Sequence, residues 1–256
     1  MAAVLNAVRG RCGPRADVRL DSSGLSCGIG GVLGIFSGLR GAVADALWLR
    51  MNDSWEARDP VATAKWIEIV SAVDPGPLYF WVNGARVVAY DIAQWRLDAE
   101  GGPGGAGEAV RQRIAEEQGM RALARIAEAM KAHPASAALW IERAELELFC
   151  VRDVEAAAAS FRRASEQPDA PFFAARVYAE LLRRLGRKRE ALEWLVQLHP
   201  RLPANEPAAD AEVVLARIRA LEEELGTPFE RRYRPMKEPR RFDLRDLRGE
   251  NPPVGL

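Results

Sequence analysis

The chain has 256 residues, of which 48% are hydrophobic and 28% charged, so it can bury a core without disulfides or a bound metal. Its 36 basic and 36 acidic side chains give no overall positive field, which argues against nucleic acid as a partner. Three cysteines without paired spacing, and two histidines that each precede a proline, indicate no metal or catalytic cluster. We therefore expect a non-enzymatic protein with no catalytic residues, cofactor or small-molecule substrate.

The chain begins with a basic segment, 1–21, which is followed by a glycine-rich apolar run, 22–39. This run has 18 residues and no charge, close to the roughly 20 residues that span a bilayer, but six of the 18 are glycine. Gly30, Gly34 and Gly38 lie on one face of a helix, a spacing that lets a second apolar helix approach closely. The run therefore predicts an anchor helix that contacts the membrane and uses these glycines against another helix.

Arginines before the apolar run place the N-terminus in the cytoplasm by the positive-inside rule. The domain that follows would then lie outside, which in a bacterium is the periplasm beyond the inner membrane. Two alternatives stay open, a cleaved export signal ending near 44–46 and a soluble protein of the cytoplasm. A dinucleotide-binding loop is excluded because Leu33 stands where the third glycine is needed.

Residues 40–225 have helical periodicity and are rich in Ala, Leu, Glu and Arg. Within them Ala157 and Ala191 are 34 residues apart, and so are Ala164 and Leu198. An internal period of this length predicts stacked helix pairs, each of which buries its apolar face only against its neighbours.

The segment 172–203 shows the unit most clearly. Ala179 and Ala191 are small enough for two antiparallel helices to approach, while Gly186 and Pro203 mark the turns. This segment resembles the tetratricopeptide repeat. The resemblance implies an all-α fold, a right-handed α-solenoid of about four helix pairs with a C-terminal capping helix from about 206 to 225.

Two segments interrupt or end this pattern. A glycine-rich insertion, 96–107, is predicted to loop out between the two helices of the second pair. The tail, 226–256, contains five prolines and is predicted to be extended. Four apolar side chains could pin the tail to the helices or to a partner: Phe229, Tyr233, Phe242 and Leu244.

The junction between the apolar run and the helices resembles a group of bacterial membrane-anchored tetratricopeptide proteins. The residues that carry this resemblance are Gly38, Arg40, Gly41, Ala44, Asp45, Leu47, Trp48, Leu49 and Arg50. It implies attachment to the bacterial inner membrane and a scaffold role without a defined activity.

The repeat resemblance also implies a partner-binding groove lined by the first helix of each pair. Its groove-facing residues on the last pair are Phe173, Arg176, Glu180, Arg183 and Arg184. We expect a scaffold that binds a peptide or another protein in this groove. The alternative is a small structural subunit of a membrane complex that docks through its glycine-rich N-terminal helix and its C-terminal tail.

Overall fold

The computed structural model describes residues 25–101, 105–203 and 206–235, with side chains from Leu39 onward. Every regular element in these residues is helical, which confirms the predicted all-α class. The α-helices of this part of the chain are α1 (Leu25–Glu56), α2 (Pro60–Val73), α3 (Leu78–Arg86), α4 (Ile92–Glu100), α5 (Glu108–Ala132), α6 (Ala137–Leu146), α7 (Val154–Ser165), α8 (Phe172–Arg184), α9 (Lys188–Leu198) and α10 (Ala211–Glu224).

Polar caps and proline set where helices begin. The Asp59 side chain accepts hydrogen bonds of 3.0 and 2.9 Å from two backbone N–H groups of α2. Pro60 is the first residue of that helix, as its sequence predicts. Asp153 caps α7 in the same way, with a bond of 2.9 Å. These bonds satisfy donors that have no partner within the helix, so local chemistry fixes both starting points.

Each helix packs mainly on its neighbours in the chain. α1 contacts α2, α2 contacts α3, and α5 contacts both α3 and α6, while α6 to α10 contact one another in sequence. One large core joins α3, α5 and α6 around Ile126 and Leu146. Another extends from α6 to α10 around Phe161, Leu182 and Ile218. Burying a side chain of this size stabilises the fold by about 1.5–3 kcal/mol, so these cores hold successive helices together.

The helices α3 and α6 each end in a π-helical turn, Val87–Asp91 and Glu147–Val151. The first turn leads directly into α4, whereas Arg152 ends the second with a left-handed φ of 63°. Both turns pack against α5. A Cβ built on Gly119 of α5 would lie 2.5 Å from the Cβ of Cys150, so only glycine permits this approach.

The turn between α8 and α9 has the geometry expected of a repeat. Gly186 ends α8 with a φ of 77°, in the left-handed region that glycine adopts without strain. α9 then returns along α8, and Ala179 and Ala191 are buried in this core. The indole N–H of Trp194 donates a hydrogen bond of 3.0 Å to the carbonyl of Ala175, which fixes the two helices in register.

The first part of the predicted tail is folded against the helices. Tyr233 packs on the core of α6 to α10, and its hydroxyl lies 3.0 Å from Nδ1 of His199. Phe229 lies in a short 3₁₀ turn and is 73% exposed, so it does not pin the tail to the described helices. Phe242 and Leu244 lie outside the described residues.

Two predicted boundaries differ from those observed. The insertion predicted at 96–107 is helical as far as Glu100, because Arg96 bonds to Glu100 at 2.9 Å and to Glu117 of α5 at 2.7 Å. The terminal helix begins at Ala211 rather than near 206, since a 3₁₀ turn, Pro207–Ala209, precedes it. The ion pairs of Arg96 therefore extend α4 into the first part of the segment that was predicted to be a loop from its glycine content.

The predicted membrane location is wrong. No helix in the described part of the chain is long and apolar enough to cross a membrane. α1 includes the predicted anchor, 22–39, from Leu25 onward, but it continues to Glu56 and carries charged residues from Arg40. The inner-membrane placement, with a cytoplasmic N-terminus and periplasmic repeats, is therefore overturned.

Candidate functional site

The predicted groove residues all lie on α8. Phe173, Arg176, Glu180 and Arg183 are spaced by three or four residues, so they share one face of the helix and line one groove. Arg184 lies beside this face, outside the groove lining, and its side chain is 57% exposed. The structure therefore brings four of the five residues together.

This groove, which we call the α8–α10 groove, is open and has a volume of about 460 Å³. α8 supplies one wall and α10 the other, with buried Leu195 and Leu221 among the residues between them. Phe173 on α8 is 41% exposed and Val213 on α10 is 50% exposed. Exposed apolar side chains that line a groove are typical of a surface that receives a partner segment.

Arg176 holds the start of α10 in place. Its guanidinium donates hydrogen bonds to the carbonyls of Ala208 and Ala209, at 3.2 and 2.9 Å. It also forms an ion pair of 2.9 Å with Asp210, the residue that precedes α10. Because these acceptors occupy the guanidinium, Arg176 positions the second wall of the groove.

Glu180 forms ion pairs with the two arginines that follow it on α8. Arg183 donates hydrogen bonds of 2.9 and 2.8 Å to both carboxylate oxygens, and Arg184 lies 3.4 Å from one of them. These bonds, above all those from Arg183, lower the pKa of Glu180 to about 2. The carboxylate is therefore charged at neutral pH, and the α8 wall carries less free positive charge than its sequence suggests.

The contribution of α10 to the groove was not predicted from the sequence, which indicates only a capping helix here. Val213, Arg217 and Glu224 line the groove from this helix. Their spacing of four and seven residues puts them on one face, and that pattern could have revealed them. Glu224 pairs with Lys188 at 2.8 Å, whereas Arg217 has no ion pair within the described residues. Arg217 is thus the cation that the groove leaves available.

A second and larger groove, of about 1020 Å³, lies between α2 and α5. Trp81, Val88 and Ile92 line it from the helices between these two walls. We call it the α2–α5 groove. None of its residues was among the predicted site residues, because the repeat resemblance directs attention to the first helices of each pair.

An ion pair between a half-exposed arginine and a buried glutamate joins α3 to α6. Arg86 of α3 donates hydrogen bonds to both carboxylate oxygens of Glu142, which is only 2% exposed. Nearby, burial raises the pKa values of the Tyr90 hydroxyl and the Cys150 thiol, so both groups stay protonated at neutral pH. A protonated thiol is a poor nucleophile, and this cluster therefore has the character of a structural contact.

No group of side chains that could hold a metal ion occurs among the described residues. The predicted helix-contact glycines, Gly30, Gly34 and Gly38, fall within the bounds of α1. Their surroundings lie outside the residues whose side chains are described, so their role stays a prediction.

Comparison with known proteins gives no family. A scan of protein-family models found no match to the chain, and a search of curated proteins also found none.

Proposed function

We propose that the protein is a non-enzymatic interaction scaffold of the tetratricopeptide type. In this proposal the helices form a right-handed α-solenoid of about four pairs, and α10 caps the last pair. The packing of each helix on its chain neighbours supports the proposal, as do the buried alanines at 179 and 191, where the repeat needs small residues.

The scaffold binds an extended segment of a partner protein in the α8–α10 groove. The observation that carries this proposal is the combination of exposed Phe173 and Val213 with the unpaired cation of Arg217 along one groove. The partner segment places an apolar side chain against Phe173 and Val213 and a carboxylate against Arg217. A hydrogen bond to a charged group contributes about 1.5–3 kcal/mol, so the contact between the partner's carboxylate and Arg217 contributes to specificity.

The test begins with a selection of peptides from a random library on the immobilised full-length chain. Enriched peptides are synthesised with a fluorescent label, and their Kd values are measured by anisotropy. We expect the peptides to combine acidic and apolar residues. Arg217→Glu should weaken their binding at least about tenfold, since losing one such bond corresponds to about 1.4 kcal/mol or more. Phe173→Ala should also weaken binding because it removes the apolar contact.

Arg184→Glu is the matched control, because it makes the same change of charge on α8 at a residue outside the groove lining. It should leave the Kd within about twofold of the unmodified protein, as expected for an exposed charge. Equal effects of Arg217→Glu and Arg184→Glu would contradict the proposal. So would peptides that bind equally well to the Phe173→Ala variant.

A second candidate function is that of a structural subunit that docks through α1. Five exposed apolar side chains of this helix are spaced so that each has another three or four residues away, which puts them on one side of it. They are Leu39, Ala42, Val43, Ala46 and Leu49, and Leu39, Val43 and Leu49 are 51%, 44% and 65% exposed. A stripe of this kind on a long helix favours packing against a helix of another subunit.

Val43→Glu and Leu49→Glu together test this candidate. If α1 docks to a subunit, the double variant should lose the partner in size-exclusion chromatography of the native complex while the isolated protein keeps its unfolding midpoint. An unchanged elution volume would reject docking through α1. It would leave the α8–α10 groove as the interaction site.

A further inference from the structure

Two residues that line the α2–α5 groove carry buried side-chain polar atoms without a hydrogen-bond partner. These atoms are both amide atoms of Gln118 and Nε of Arg125, which faces Gly84 of α3. Gln118 is fully buried, and it lines the groove together with Arg125. A buried polar group without a partner costs about 1–3 kcal/mol, so a ligand that supplies partners to the Gln118 amide is favoured.

Arg125 lies in this groove without a carboxylate partner. Its Nη2 donates hydrogen bonds to the hydroxyl of Ser71 and to the carbonyls of Ile67 and Phe80, the latter at 3.3 and 3.0 Å. Its guanidinium also lies 5.0 Å from the centre of the Trp81 ring. Burial lowers the pKa of Arg125 to about 10, so the side chain keeps its charge at neutral pH. Besides these dipoles and the ring, the charge of Glu68 acts on the guanidinium, and the cations of the groove together attract an anion.

The remaining charges of the groove are also unbalanced. Glu117 is paired with Arg96 and Glu128 with Lys131. The other charged residues that line the groove have no ion pair within the described residues, and they are the cations Lys65, Arg121 and Arg125 and the anion Glu68. Three free cations against one free anion favour an acidic ligand.

The shape and chemistry of the groove indicate what kind of acidic ligand it takes. Its volume of about 1020 Å³ is at the upper limit of cavities that take small molecules, about 300–1,000 Å³. Gln118 can both donate and accept hydrogen bonds, which matches the exposed backbone of an extended peptide better than the internally bonded backbone of a helix. Trp81, Val88 and Ile92 supply an apolar surface for its side chains.

We propose that the α2–α5 groove binds an extended peptide segment that carries an acidic side chain. Arg121 receives the carboxylate, Arg125 contributes its positive charge, the Gln118 amide turns to the peptide backbone, and the apolar surface takes a neighbouring side chain. This site lies on different helices from the α8–α10 groove, so one chain can hold two partner segments at once.

The experiment uses the full-length chain carrying Phe173→Ala and Arg217→Glu, which together disable the α8–α10 groove. Peptides are selected on it from a random nine-residue library, synthesised with fluorescein, and measured by anisotropy. We expect acidic peptides whose binding weakens about tenfold in Arg121→Glu, as for one charged hydrogen bond. Arg111→Glu, on the same helix outside the groove lining, should leave their Kd unchanged.

Gln118→Leu separates binding from folding. Leucine has a similar volume and removes two unsatisfied amide atoms, so the variant should melt at a higher temperature than the unmodified protein and still bind the peptide about tenfold more weakly. The proposal is overturned if no peptide is enriched, or if Arg121→Glu leaves the Kd unchanged. It is also overturned if Gln118→Leu raises the Tm without weakening binding, because the glutamine would then have no ligand role. None of these outcomes depends on binding in the α8–α10 groove.

Discussion

Gly84 lies where α3 passes closest to the helices on either side of it. A Cβ built there would lie 2.6 Å from Cγ2 of Ile67 and 2.8 Å from Nε of Arg125. Alanine would by itself favour the helix by about 1 kcal/mol, but overpacking in a core costs about 1–3 kcal/mol. We therefore expect Gly84→Ala to lower the free energy of unfolding by up to about 2 kcal/mol, measured by urea denaturation.

Gly76→Ala is the control for this substitution. Its Cβ would meet only Oδ1 of Asp74, at 3.4 Å, which is ordinary contact. The unfolding midpoint of this variant should match that of the unmodified protein. If Gly84→Ala were equally harmless, the close packing around α3 that positions Arg125 would be contradicted.

Glu180 provides a prediction about pH. Its pKa of about 2 in the folded protein, set first by the hydrogen bonds from Arg183, lies below the ordinary value of 4.5. A group whose pKa is lowered on folding stabilises the protein above its unfolded pKa, and this stabilisation is lost as the pH falls from about 4.5 to about 2. The contribution should be below about 1 kcal/mol, because the pair is partly solvated.

Urea denaturation of the unmodified protein and of Glu180→Gln at pH 7, 4 and 3 measures this contribution. The difference in stability between the two proteins should be greatest at pH 7 and should shrink toward pH 3. A difference that is constant with pH would mean that Glu180 is not held charged by Arg183. The pH dependence of the other carboxylates cancels in the comparison.

At the scale of elements, the position of α10 depends on Arg176. This residue joins α8 to two carbonyls and to Asp210 at the start of α10. We expect Arg176→Ala to reduce the stability of α10 by about 1–3 kcal/mol, because it removes two hydrogen bonds from a charged group to backbone carbonyls, of which the one to Ala209 is partly buried, and the ion pair with Asp210. Hydrogen exchange followed by mass spectrometry should show faster exchange in α10 while α2 and α5 stay protected.

Arg176→Lys should restore the exchange protection only in part, since an ammonium group cannot reach three acceptors with the geometry of a guanidinium. Arg184→Ala serves as the control on the same helix, because that side chain is exposed and shares Glu180 with Arg183. Unchanged exchange of α10 in Arg176→Ala would show that apolar packing alone positions this helix.

The elements that could be predicted from the sequence are those fixed by local chemistry. Asp59 and Pro60 predict the start of α2, and Gly186 predicts the end of α8. Each of these residues acts on backbone groups within a few residues of itself, so the sequence alone is sufficient. The face shared by Phe173, Arg176, Glu180 and Arg183 also follows from helical spacing alone.

Features that depend on distant partners could not be predicted in this way. The helix continues to Glu100 because Arg96 bonds across to α5, and the π turns form where α3 and α6 meet that helix. The charge of the α8 wall is reduced by ion pairs whose rotamers the sequence does not specify. The membrane prediction was wrong for a different reason: it relied on an uncharged run of eighteen residues, but no helix in the described part of the chain is long and apolar enough to cross a membrane.

In the whole molecule, each helix packs mainly on its neighbours in the chain, so a core substitution should destabilise only the helices near it. Leu195 of α9 is 3% exposed in the core that joins α6 to α10. Leu195→Ala should cost about 2–5 kcal/mol and should speed hydrogen exchange in α8, α9 and α10. α2, α3 and α5 should keep their protection, because helices in a serial stack are stabilised mainly by their nearest neighbours.

Leu146→Ala gives the comparison, since Leu146 lies in the core that joins α3, α5 and α6. Its effect on exchange should be centred on those helices, and α9 and α10 should be affected less. If both variants speed exchange equally along the whole chain, the helices unfold as one cooperative bundle. That result would contradict the proposed solenoid.

A site-specific photo-crosslink tests whether a partner segment lies in the α8–α10 groove. Benzoylphenylalanine replaces Val213 in one protein and Phe149, an exposed residue outside the groove lining, in another. Each protein is irradiated with the peptide selected on the unmodified chain, and the crosslinked residues are identified by mass spectrometry. The proposal predicts a crosslink from position 213 that Arg217→Glu abolishes and none from position 149. Crosslinking from position 149 alone, or equally from both positions, would contradict it.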